Sequence, residues 1–138
     1  MMRILGRISL LCLLTFSAMA DEYAVVSNAK MKDLTLLEIR AIFLKKITLI
    51  SDDTELVPIN LEAMDPLRLK FEKEVLGMSF SRLKSYWIQE HYLGHRPPIS
   101  MKSQESIKAF ITKVDGSIGY LNIENIDANM KIHYRWSD

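Results

Sequence analysis

Cysteine is nearly absent from this chain of 138 residues: Cys12 is the only one. It stands inside the apolar run "ISLLCLLTF", Ile8 to Phe16. That run is shorter than the ~20 apolar residues a spanning helix needs. Arg3 and Arg7 precede it and Ser17-Ala18-Met19-Ala20 follows. A basic head, a short apolar centre and small residues at Ala18 and Ala20 make the pattern of a secretory signal peptide, with cleavage expected after Ala20. "SLLC" lacks the small residues that usually lead into a lipidated cysteine, so Cys12 is not read as a lipid anchor. Cleavage would leave no cysteine, which excludes a disulfide, a thiolate zinc site and a cysteine nucleophile.

A large excess of basic over acidic residues, or the reverse, is also missing. Without Arg3 and Arg7 the basic count falls from 18 to 16 against 17 acids, a net charge of −1. Such a surface offers no electrostatic ground for nucleic acid. Repeats and low-complexity tracts are absent, and Gly and Pro number only 5 and 4. The composition, 49% apolar and 25% charged, is that of a globular chain. The 118 residues after Ala20 suffice for one core without covalent staples and are too few for two domains. The expected organisation is a signal peptide over 1–20 and one domain over 21–138, exported to the periplasm, with no membrane span left after cleavage.

Catalytic and metal-binding patterns are weak. Glu90, His91 and His95 form E-H-x-x-x-H, and two histidines at i and i+4 can share a zinc ion from one helix face. Gly94 ends the helix before His95, however, and His133 is remote in sequence. Solvated histidines favoured by the helix C-terminus are the better reading. Ser79, Ser81 and Ser85 lack the G-x-S-x-G elbow of a serine hydrolase. Met31, Met64, Met78, Met101 and Met130 are too scattered for a copper site. Asp52, Asp53 and Glu55 lack the glycine and the ligand number of a calcium loop, and read as a charged hairpin turn. The lysines around "LTLLEIRAIFL" flank an apolar stripe of ordinary core width, so that helix is expected in the core rather than on a membrane. The expectation is a protein without catalytic activity, metal or cofactor.

What is present is a run of alternating strand and helix signals. "YAVVS" after Asp21-Glu22 has strand length and β-rich composition. Thr35 and Glu38 form a T-x-x-E capping box for a first helix, with Leu36, Ile39, Ile42 and Phe43 on its apolar side. Ile47–Ile50 and Leu56–Leu61 read as extended on either side of the Asp52-Asp53-Thr54 turn, with Pro58 suited to a strand start or an edge. A second helix opens with Asp65 as N-cap and Pro66 at N1 and closes at Gly77. A third, capped by Ser79 and stapled by Met78 on Leu83, runs to Gly94. Pro97-Pro98 forbids helix in "GHRPPISMK". A fourth helix spans about Ser103 to Val114, with Ile107, Phe110, Ile111 and Val114 as its buried face. "IGYLNI" is another strand. The tail "MKIHYRW" alternates like a half-buried strand. Together these predict an α/β fold with a small mixed sheet flanked by about four helices.

The order "YAVVSN", "LTLLEIRAIFLKKIT", "LVPINL", "PLRLKFEKEVLGMS…LKSYW", "GHRPP" and "GSIGYLN" resembles the phosphate-binding proteins of bacterial phosphate ABC transporters. It is closer still to the small single-lobe members of that periplasmic binding-protein superfamily. The resemblance covers about Tyr23 to Asn122. It implies one lobe of a type II periplasmic binding protein, a transport-related role, and a small anion or a periplasmic protein as partner. A lone lobe cannot close on a ligand by hinging. It would bind as an open face, pair with a second copy as a homodimer, or dock onto another protein. Tyr92, the "GHRPPI" segment and the tail Tyr134–Trp136 are the candidates for an exposed interaction surface.

In the family, the turn after the "VPI" strand reads Arg, any, Asp, any, Ser-Gly-Thr, and it cradles the oxyanion at a helix start. Laid on this chain, those positions hold Leu61, Ala63 and Asp65-Pro66-Leu67, and every one departs. The physics agrees without the family. An anion seat at a helix start needs free amides. Asp65 is expected to occupy them with its own carboxylate, Pro66 deletes a donor, and Glu62 adds like charge. Arg68 is the only compensating cation and has Asp65 and Glu72 as prospective partners. Asn60, Asp65 and Arg68 are the residues that would meet a ligand at this turn. The reading is a solute-binding-like lobe that has lost the usual phosphate motif; its rival is an accessory module that binds no small ligand.

Overall fold

The computed structural model describes residues 20–50 and 53–138. The expected signal peptide over 1–20, apart from Ala20, and Asp52 of the charged turn lie outside the described residues. Strand β1 (Glu22–Asn28) is followed by helix α1 (Leu36–Phe43), a two-stranded hairpin of β2 (Leu49–Ile50) and β3 (Thr54–Glu55), and strand β4 (Val57–Leu61). Helix α2 (Pro66–Phe71) continues as a π-helical turn, Glu72–Leu76. Helix α3 (Phe80–Tyr92), strand β5 (Ile99–Met101), helix α4 (Gln104–Lys113), strand β6 (Ser117–Asn122) and strand β7 (Met130–Ser137) complete the chain. The main sheet has the order β5-β4-β6-β1-β7. β4 runs parallel to β5 and β6, while β1 runs antiparallel to β6 and β7. Parallel neighbours need crossover connections, and α2, α3 and α4 supply them. Among the described residues, no helix is long and apolar enough to cross a membrane.

The two faces of the sheet are covered differently. On one, Tyr120 of β6 stacks on Phe71 of α2 with ring centroids 4.0 Å apart and planes at 12°. Phe43 of α1 meets Phe71 edge-on at 4.7 Å. Tyr23 and Trp136 close the cluster at 5.4 Å. Burying a side chain like Phe71 contributes about 1.5–3 kcal/mol, so this cluster is the main cohesion of that layer. On the other face, Ile107 and Ile111 of α4 approach β6 so closely that a Cβ on Gly119 would lie 2.9 Å from Ile107. Glycine at that position sets the helix–sheet distance.

Local signals decide the helix ends. Thr35 accepts from the Glu38 amide at 3.2 Å, and the Glu38 carboxylate accepts from the Thr35 amide at 3.1 Å. Gly77 takes the left-handed conformation, φ 67°, at the end of the π turn. Arg40 of α1 donates to the Val75 carbonyl at 2.8 Å, satisfying a carbonyl that a helix end leaves open. The α4 face is narrower than the sequence predicts. Ile107 and Ile111 are buried, whereas Phe110 and Val114 are only partly covered, because β5 lies at the open edge of the sheet.

The tail is an ordered strand, and its alternation is broken once. Tyr134 pairs with Val25 and Ile132 with Val26, which leaves His133 as a bulge residue. Cross-strand partners share a face. The bulge therefore sends Tyr134 and Trp136 to the aromatic face and Met130 and Ile132 to the α4 face, although the sequence places all four on one side. Trp136 is buried and Tyr134 half-buried. The tail thus belongs to the core and is not the exposed interaction surface its aromatics suggest.

Candidate functional site

The turn from β4 into α2 forms as its residues dictate. Asp65 sits in extended conformation, φ −61° and ψ 130°, and its carboxylate accepts from the Leu67 amide at 2.9 Å. Pro66 fills the first helical position without an amide. One of the orphan donors at this helix start is thus satisfied by the chain and another does not exist. Of the positions laid against the family motif, Leu61 and Leu67 are buried and Ala63 is exposed.

Arg68 points back across the turn. Its Nη1 donates to the Leu61 carbonyl at 2.8 Å, and its Nε donates to Glu72 Oε2 at 3.3 Å. Of its two prospective acidic partners it takes Glu72, one helical turn away. Both side chains are largely out of water, 17% and 7% exposed. Burial pushes the Glu72 carboxyl up, and Arg68 opposes that by attraction and hydrogen bonding. Asn60, 7% exposed, accepts from the Tyr120 hydroxyl at 3.1 Å, and that hydroxyl accepts from the Leu61 amide at 3.0 Å. Burial among the aromatic rings pushes the Tyr120 hydroxyl well above the ordinary tyrosine range. It is therefore a neutral donor near neutral pH.

Of the three residues named from sequence, Arg68 and Asn60 join one internal network through Leu61 and Tyr120, while Asp65 beside them bonds only to the Leu67 amide. Arg68 holds the Leu61 carbonyl, Tyr120 holds the Leu61 amide and Asn60, and Asp65 holds the helix start. Sequence reasoning missed Tyr120 and the burial of Glu72. The spacing of Arg68 and Glu72 at i and i+4 was a readable signal. The link from Tyr120 to Asn60 crosses two strands and leaves no local trace. Beside this turn, Lys70 donates to Tyr23 Oη at 2.8 Å and to Asp138 Oδ2 at 3.0 Å, which ties α2 to the end of β7. Among the described residues, Trp136 Nε1 is the one buried side-chain polar atom without a partner.

The remaining motifs stay apart. His95 pairs with Glu90 through Nδ1, while His91 lines a separate surface cavity with Lys84 and Tyr92. His133 lies in β7 with its nitrogens on Ser27 and on the Leu34 amide. Among the described residues, no three metal-binding side chains gather. Ser27 and His133 stand 2.6 Å apart, yet the Leu34 amide donates to His133 Nδ1 and leaves the ring proton on Nε2. That nitrogen cannot take a proton from Ser27, and Ser27 is fully buried. The pair is structural.

No family model matches the chain, and no curated protein matches it. Solved structures do. An ABC-type phosphate transport receptor from Vibrio cholerae matches at TM-score 0.63 and 19% identity, over 82% of this chain and 45% of the other. A phosphate ABC transporter substrate-binding protein from Clostridium perfringens, described as putative and solved with bound phosphate, matches at 0.64 and 21%, over 82% and 44%. PstS from Borrelia burgdorferi matches at 0.59 and 15%, over 82% and 46%. The chain spans less than half the length of these neighbours. What the likeness establishes is the fold: a mixed α/β unit of the kind that makes up a little under half of a phosphate-transport binding protein.

Proposed function

We propose that this chain is a non-catalytic, periplasmic, single-lobe relative of the phosphate-transport binding proteins, in which the oxyanion seat of the lobe is filled by the chain's own groups. The observation that carries this reading is the pairing of Arg68. The one cation at the turn commits two of its five donors to the Leu61 carbonyl and Glu72. Asp65 and Pro66 remove helix-start donors beside it, and Glu62 and Asp65 would repel an anion by about 1 kcal/mol each at ~4 Å in water. Freeing Arg68 for a ligand would strand Glu72 as a buried, unpaired carboxylate, which costs about 3–5 kcal/mol. Export is supported by the leader pattern, and a binding role without catalysis by the structural neighbours, which are described as a phosphate transport receptor and a substrate-binding protein.

Thermal melting in phosphate tests the reading. A site with a Kd of about 0.1 mM would gain about 2.7 kcal/mol at about 10 mM phosphate. For a domain of this size that raises Tm by about 10 °C. The expected result is no shift beyond that of sulfate at equal ionic strength; a phosphate-specific rise of several degrees would refute it.

A second reading, an accessory module that engages a partner without a small ligand, is favoured by one observation. Tyr92, Leu93 and Ile88 are 85%, 65% and 53% exposed at the end of α3.

A further inference from the structure

Helix α3 presents two faces. Leu83 and part of Trp87 turn inward, and Tyr86 donates to the Leu44 carbonyl at 2.7 Å, which anchors the helix to the end of α1. Lys84, Ile88, His91 and Tyr92 recur at i, i+4, i+7 and i+8, so they form one stripe on the outer face. With Trp87 and Pro97 they line an open cavity of about 370 Å³. Just past Gly94, a second cavity is lined by Lys45, Thr48, His95 and Arg96. Leu93 follows Tyr92 in the chain and is largely exposed.

The charge of this surface selects its occupant. Lys45, Lys84 and Arg96 form no ion pair among the described residues, where the ion pairs involve other groups. Between Arg82 and Arg96 the sole acid is Glu90, and His95 holds it. An isologous contact between two copies would set the face that carries Lys45, Lys84 and Arg96 against itself, so a second copy is electrostatically the wrong partner. Apolar side chains that project singly from a helix end, with Trp and Tyr at the margin and lysine and arginine around them, match a lipid–water interface. A shaped protein groove is not needed to receive them.

We propose that the C-terminal end of α3 docks the protein on an anionic lipid surface. Ile88, Tyr92 and Leu93 enter the headgroup layer, and Lys84, Arg96 and Lys45 meet the lipid phosphates. This inference is independent of the Arg68 network and would stand if phosphate bound at the turn.

Co-sedimentation of the full chain with vesicles tests it, using phosphatidylcholine alone and phosphatidylcholine with about a third phosphatidylglycerol, at low and high salt. Binding is expected on the anionic vesicles only, falling as salt screens the lysines and arginine. Each basic residue near such a surface contributes about 1 kcal/mol, so Lys84→Glu combined with Arg96→Glu should weaken partitioning on the order of tenfold or more. Tyr92→Ser with Leu93→Ser should weaken it by a similar factor. The segment before Asp21 is common to wild type and variants and cancels between them, so the variant comparison assigns the binding to α3. The substituted residues are exposed, so melting temperatures should stay unchanged and identify any loss as one of binding. Equal partitioning of wild type and variants, or no preference for anionic vesicles, overturns the proposal. It is also overturned if light scattering finds a dimer that Tyr92→Ser dissolves, or if the protein binds polyglutamate but no vesicle, which would assign the face to an acidic polypeptide.

Discussion

Lowering the pH should unlock His133 and weaken the attachment of the C-terminal strand. The Leu34 amide donates to His133 Nδ1 at 3.3 Å, so that nitrogen is bare. Nε2 then carries the proton toward Ser27 Oγ, 2.6 Å away, and Ser27 donates its own proton to the Asn28 carbonyl at 2.9 Å. The Leu34 bond requires neutral imidazole, since an imidazolium would turn an N–H against the Leu34 amide, whereas the other two bonds survive protonation. Burial holds the His133 pKa down to about 4, against 6.5 for a free histidine. Lys131 on the same strand acts in the same direction, while Asp33 of the preceding loop and Glu38 of α1 oppose it. Between those two pKa values the unfolded chain binds more protons than the folded one. The contribution is therefore complete above about pH 6.5 and is lost as pH falls toward 4. The two values give about 2 kcal/mol lost at pH 5 as an upper bound. His133 is only half-buried, and solvent screening reduces this to about 1 kcal/mol. Urea midpoints at about pH 7.5 and pH 5, for wild type and His133→Gln, isolate the effect, because other titrating groups are common to both chains. Wild type should lose about 1 kcal/mol more than the variant over this range. Equal losses would refute the tautomer assignment and the burial argument together.

Three further outcomes follow from the site. Arg68→Met strands the Glu72 carboxylate and should cost about 3–5 kcal/mol, most of it recovered in the Arg68→Met/Glu72→Met double variant; additive costs in denaturant melts would show that the two side chains are uncoupled. Tyr120→Phe removes the hydroxyl that serves both the Leu61 amide and Asn60 and should destabilise by about 1–3 kcal/mol. A neutral result by calorimetry would mean that water replaces the hydroxyl there. Asp65→Ala should cost about 1 kcal/mol through the lost cap, read as a lower urea midpoint with an unchanged slope; an unchanged midpoint would displace the helix boundary.

The parts of the fold that were legible in sequence are those specified within one turn of chain. Thr35 with Glu38, Asp65 with Pro66, and Gly77 each carry their own geometry, and all three helix boundaries appear where those residues put them. The β4 and β6 strands were legible as short apolar runs. The illegible parts are non-local. The bulge at His133 reverses the face of half the tail because a single unpaired residue shifts the register, and the alternation of the sequence continues through it unchanged. Phe110 looked like core because helical period cannot say how far the neighbouring sheet extends. At the site, the cap at Asp65 was readable and the pairing of Arg68 was narrowed to two acids. The choice of Glu72 depended on the burial of that carboxylate, and the hold of Tyr120 on Asn60 and Leu61 depended on the order of strands in the sheet.

The proposal that the chain's own groups fill the oxyanion seat is tested most directly at the backbone amides of the turn, by titrating phosphate to about 10 mM and following the Leu67 and Arg68 amide resonances. The account predicts no change beyond the effect of ionic strength, because Asp65 occupies the first of these donors and Arg68 stays on Glu72. A saturable shift of both resonances with phosphate, and not with sulfate, would contradict it.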